Sequence, residues 1–106
     1  MPKFLIEADY SAAGNAGLLK SGGTKRKQVV EKMVKDLGGK VESIYFTFGL
    51  RDFICIAELP DNVTAAALSL TVNATGAATA KVTVLLTAEE IDAAVKKAPR
   101  YRAPGQ

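Results

Sequence analysis

The chain contains no histidine and a single cysteine, Cys55. Each absence closes off a class of chemistry. Without an imidazole, one chain cannot provide a proximal haem ligand, a histidine-containing zinc site, or a Ser–His or Cys–His nucleophile pair. One thiol can form neither an intramolecular disulfide nor a thiolate cluster. No metal or other cofactor is therefore expected, and acid–base chemistry would fall to Asp, Glu, Lys or Tyr. Long apolar runs are also missing. Nothing approaches the ~20 residues needed to cross a bilayer, so no membrane partner is expected. The opening "MPKFLIEADY" is acidic and lacks the layout of a signal peptide. With the lone thiol, this sets the expected compartment as the cytoplasm. Basic excess is small, a net charge of +3, and part of it lies in "KRK" at Lys25–Lys27 and in "KKAPRYRAPGQ". A dense basic stripe interleaved with aromatics is lacking, which argues against nucleic acid as a partner.

What is present suits one ordinary globular domain: 106 residues, 48% hydrophobic and 24% charged. Residues 1–98 read as the domain and 99–106 as an extended tail. Alternation in Lys3–Ala8 predicts a first strand. The glycine-rich "SAAGNAGLLKSGG" predicts a loop with one helical turn. Thr24 is the expected N-cap of a helix to about Leu37, ended by Gly38 and Gly39, with Val30, Met33, Val34 and Leu37 as its buried stripe. Val41–Phe48 and Phe53–Leu59 predict an antiparallel hairpin, in which Gly49 would take a positive φ. Asp61 or Asn62 caps a second helix to about Ala74, with Val63, Ala66, Ala67, Leu70 and Ala74 as its expected apolar face. Ala78–Leu86 predict a fourth strand. Thr87 and Glu90 form a capping box that opens a last helix to about Ala98.

The order β-α-β-β-α-β plus a terminal helix predicts an α+β, ferredoxin-like fold: a four-stranded antiparallel sheet with two helices on one face. The helices are expected to cover Phe4, Ile6, Phe46, Phe48, Val82 and Val84. The opposite face would then carry Leu5, Tyr45, Ile54 and Ile56 as an apolar centre, with Glu7, Glu58 and Lys81 around it. Monomers seldom leave such a patch in water. Two sheets face to face would cover it, either as a plain interface or with a small molecule enclosed, and Glu7 and Lys81 are candidates for a rim ion pair. At the hairpin tip, Asp52 is expected to fix the turn and Arg51 to project at the sheet edge. "SGGTKRK" gives a second candidate site, for an anion at Gly23, Thr24 and Lys25, because backbone N–H groups at a helix start are free to bind one. Ordinary solvated surface is the competing reading. Cys55, inside a strand, reads as an inert core thiol.

"MPKFLIEADYSAAG", "GLLKSGGTKR", "FGLRDF", "ELPDN", "LLTAEEIDAA" and "YRAPGQ" together resemble the GYD-domain family over most of the chain. Gly49 and Asp52 bracket the hairpin as in the Gly-Tyr-Asp signature, but Leu50 and Arg51 lie between them and the tyrosine is absent. The resemblance implies a ferredoxin-like fold of the dimeric α/β-barrel type. The hairpin is also similar to that of ligand-binding domains in leucine-responsive regulators, an analogy of fold alone. The expected function is an oligomeric small-molecule-binding or sensory module. The alternative is a small cofactor-free enzyme of isomerase or oxygenase type, using Glu7, Glu58, Lys81 or Tyr45. Ligand contacts are expected at Glu7, Tyr45, Arg51, Asp52, Ile56, Glu58 and Lys81, and the expected partner is a second copy of the chain.

Overall fold

Strict alternation in β1 (Lys3–Tyr10) sends Phe4, Ile6 and Ala8 into the core of the computed structural model, which describes residues 1–106. Two helices follow, α1 (Ala12–Ser21) and α2 (Gly23–Asp36), then β2 (Lys40–Phe46), β3 (Phe53–Glu58), α3 (Asn62–Ala74), β4 (Ala78–Leu85) and α4 (Ala88–Lys97). The strands form one four-stranded sheet in the order β2-β3-β1-β4, with every neighbouring pair antiparallel. This is the expected α+β architecture with a ferredoxin-like strand order. One sheet face meets α2 and α3 through Phe4, Ile6, Phe53, Cys55, Ala57, Val30, Val34, Ala65 and Leu68. Burying each large aliphatic or aromatic side chain in that layer contributes about 1.5–3 kcal/mol.

The segment expected to be a loop is the helix α1. Ser11 caps it, its side chain accepting from the Gly14 N–H at 3.2 Å, and alanine and leucine supply the helix propensity. Gly14 is a close-approach residue: a Cβ there would stand 2.1 Å from the Ala77 carbonyl oxygen. That carbonyl also accepts from the Ser11 N–H at 3.0 Å and from its hydroxyl at 3.1 Å. α2 starts before Thr24. Gly22, at φ 81°, turns the chain straight from α1 into α2 with no side-chain cap, and Thr24 falls inside the first turn.

α3 buries a different stripe from the expected one. Ala65 and Leu68 are buried and Val72 packs beside them, whereas Val63 and Leu70 are 80% and 72% exposed and Ala66, Ala67 and Ala74 face solvent. The helix is apolar on several sides, so periodicity alone does not choose between them. Asp61 caps the start through the Thr64 N–H at 2.8 Å, and near the end the Asn73 amide pairs with both backbone groups of Ala80 on β4, which ties one side of the helix to the sheet. The second contact also blocks the free edge of β4. Val84, farther along the same strand and expected under the helices, is half exposed.

β2 carries a bulge. Val41 pairs with Ala57 but Ser43 pairs with Ile56, so Glu42 is the extra residue. Val41 and Ile44 consequently both turn toward the core despite their odd spacing. Phe46 is the last residue of the strand and sets its ring edge-on to Phe53, with centroids 5.7 Å apart. Phe48 lies beyond it, fully exposed, rather than under the helices. The capping box of α4 is present, but none of that helix's residues is buried, and Ile91 and Val95 face solvent.

Candidate functional site on the open sheet face

The sheet register sets out the face that no helix covers. Leu5 pairs with Ile56 and Thr83, and Glu7 pairs with Ile54 and Lys81. Ile54 in turn pairs with Tyr45, and Ile56 with Ser43. Leu5, Ile54 and Ile56 thus adjoin at the centre with the exposed Tyr45 ring beside them, as the alternation predicts. Lys3 and Lys40 both stand opposite Glu58 in register, and Lys3 reaches the bulged Glu42 at 3.1 Å.

Arg51 does not project at the sheet edge. It folds back over β1, its Nε 3.6 Å from Glu7 Oε2 and its Nη1 3.3 Å from Asp9 Oδ2. Only 25% of the Arg51 and Glu7 side chains stays exposed. The arginine Nε is buried without a hydrogen-bond partner, because at 3.6 Å the Glu7 carboxylate attracts it without accepting its proton. Glu7 is therefore taken up by Arg51, and the expected pair with Lys81 is not formed: Lys81 is exposed and joins no ion pair. Asp9 is a member of this cluster that alternation places on the open face, but only the position of Arg51 reveals its role.

Asp52 has a structural task. β3 begins at Phe53, while β1 runs on to Tyr10, so the Tyr10 N–H has no strand carbonyl to meet. The Asp52 carboxylate accepts it at 2.9 Å, and the Asp52 N–H donates to the Ala8 carbonyl at 3.1 Å. The aspartate thus joins β3 to β1, rather than fixing the turn from within. The loop closes separately, through Thr47 N–H to the Asp52 carbonyl at 2.9 Å and Thr47 hydroxyl to the Arg51 carbonyl. With six residues, Thr47–Asp52, this connection needs no tight turn. Gly49 accordingly has no positive φ, and a Cβ there would meet nothing within 4 Å.

The other candidate residues lie across the sheet. Gly23 packs against Phe46, where a Cβ would be 3.4 Å from the ring, Thr24 is exposed, and Lys25 borders a cavity on the helix side. Nothing brings these residues to the open face. Cys55, fully buried beneath it, has its thiol pushed up to about 11, by burial first and then by the negative charge of Glu31.

The model of the family described as the GYD domain matches residues 4–95, and the chain belongs to that family. Neither the curated proteins nor the solved structures compared with the chain include a match.

Proposed function

We propose that this GYD-domain protein works as a homo-oligomeric small-molecule-binding or sensory module. In this reading the open faces of two copies meet in a dimeric α/β barrel and the ligand lies between the sheets. The observation that carries it is the contiguous apolar centre of Leu5, Ile54 and Ile56, with an exposed Tyr45 beside it and no helix of its own chain above it. Water against such a patch is unfavourable, and burying it against a like patch releases about 25 cal/mol per Å². A typical specific interface covers ~800 Å² per partner.

Polar groups around the centre suit ligand recognition. The Glu7–Arg51–Asp9 cluster presents both charge signs at one end, while Lys81 and Glu58 have no ion-pair partner in the chain. A mainly apolar lining with a few placed polar groups is the usual make-up of small-molecule sites. The solvent-facing Phe48 and Leu50 at the loop tip, and the apolar stripe of α4, add surface that association would cover. The enzyme reading has less support. Glu7 is engaged by Arg51, and Tyr45, Glu58 and Lys81 make no hydrogen bond to position one another for proton transfer.

Sedimentation across a dilution series, paired with native mass spectrometry of protein purified without denaturation, tests the proposal. A dimer or larger assembly that retains a small-molecule mass is expected. A chain that remains monomeric at high concentration would overturn it.

A further inference from the structure

A second concavity lies on the opposite side of the sheet. α1, α2, α3, Tyr10 and the start of β4 line a half-open cavity of about 440 Å³, within the range of small-molecule sites. Its walls are apolar, including Leu18, Val29, Val30, Met33, Val72 and Ala78. No acidic residue lines it, and the charged groups that do, Lys25 and Arg26, are both cations. Neither takes part in an ion pair.

Arg26 is the informative residue. Its guanidinium carbon lies 5.8 Å from the centroid of the Tyr10 ring, another lining residue, so the side chain is laid across an aromatic face. Its Nε is buried and has no hydrogen-bond partner. A buried donor on a charged group is costly to leave unpaired. Both cations also stand in the first turn of α2, where the helix dipole disfavours positive charge. An anion beside them relieves this repulsion.

We infer that this cavity binds a small amphipathic carboxylate, its apolar body between α1, α2 and α3 and its carboxylate on Arg26. The planar guanidinium fork matches two carboxylate oxygens, and Lys25 adds a second charge at the same border. A phosphate head group can use the same two cations, so decyl phosphate is compared directly with decanoate in the test below. The site lies on the helix side of the sheet, away from Leu5 and Ile56. It is complete within one chain and does not depend on assembly.

Methyl NMR can test the inference, because Met33 lines the cavity and Met1 is the other of the two methionines. The probes are decanoate, decanol and decyl phosphate, each below its micelle concentration, titrated into the full chain labelled at the methionine methyls. Decanoate should shift the Met33 signal saturably and leave Met1 in place, with decanol at least tenfold weaker. Arg26→Gln should weaken decanoate at least tenfold and leave decanol unchanged, thermal unfolding showing that the variant is folded. Equal binding of decanol and decanoate, an Arg26→Gln variant with unaltered decanoate affinity, or no saturable Met33 shift would overturn the site. Tighter binding of decyl phosphate than decanoate would overturn the carboxylate assignment.

Discussion

At the scale of single residues, the loop Thr47–Asp52 separates two roles that look alike in one dimension. Gly49 and Asp52 bracket the same loop, but Asp52 is tied to Tyr10 and Ala8 on β1, whereas Gly49 has an ordinary φ and open space around it. Asp52→Ala removes the acceptor for a half-buried N–H and should destabilise the fold by about 1–2 kcal/mol. Gly49→Ala should leave stability unchanged or raise it by about 0.4–1 kcal/mol through the unfolded chain. Urea titration of the two variants distinguishes them, and equal losses would refute the assignment. Cys55 offers a second check. With its thiol near 11, only about one in a thousand is ionised at pH 8, and the sulfur is fully buried. Reaction with a disulfide reagent at pH 8 should be very slow in the native protein and rapid in denaturant. Fast native labelling would mean that β3 opens readily.

Among the elements, strands are more legible than helices in the sequence. A period of two leaves only two choices of face, so alternation alone places Leu5, Glu7, Ile54 and Ile56 on the open side. The face of α3 is not legible in this way, since Val63, Ala66, Ala67 and Leu70 make as good a stripe as Ala65, Leu68 and Val72. The winning side is the one that Asn73 ties to the sheet, its amide meeting the backbone of Ala80 on β4. α1 is hidden by its glycines, and the packing reason for Gly14, the Ala77 carbonyl, is more than sixty residues away. Arg51 poses the same difficulty: its proximity to Glu7 and Asp9 is a property of the folded loop. Leu68→Ala should therefore cost about 2–5 kcal/mol and Leu70→Ala within about 0.5, as thermal or chemical unfolding would report. The reverse order would restore the other face. Asp61 gives α3 a pH dependence. Hydrogen bonds from the Thr64 N–H, then from its hydroxyl, hold its carboxyl below the ordinary 3.8. Its contribution is complete above that value and is lost as pH falls through the lower folded one. Asp61→Asn, which can still cap but does not titrate, should flatten this part of the acid unfolding profile; an unchanged profile would assign it to other carboxylates.

For the whole molecule, the notable property is how much apolar surface remains outside the core. The Cα radius of gyration is 16.9 Å, against about 13 Å for a compact chain of this length, and the longest extent is 57 Å. α4 accounts for part of that, since it buries no residue while presenting Ile91 and Val95 to solvent. A small domain with an uncovered sheet face and an amphipathic helix lacking a partner is short of burial by itself, and association is the direct remedy. Ile56 is the residue to perturb, because it stands at the centre of the face between Leu5 and Ser43 and outside the buried core layer. Ile56→Lys leaves the helix-side core intact but puts an ammonium where the second sheet would lie. Taking that charge out of water without a partner costs several kcal/mol, enough to dissociate a typical interface. Sedimentation should show the variant as a folded monomer, or as aggregate, at concentrations where the parent chain is assembled. Any ligand held between the sheets should leave with the interface. Ligand held in the cavity of Arg26 should stay, since that site lies across the sheet and within a single chain. An Ile56→Lys variant that assembled like its parent would place the interface elsewhere, with the exposed stripe of α3 the next surface to probe by Leu70→Lys.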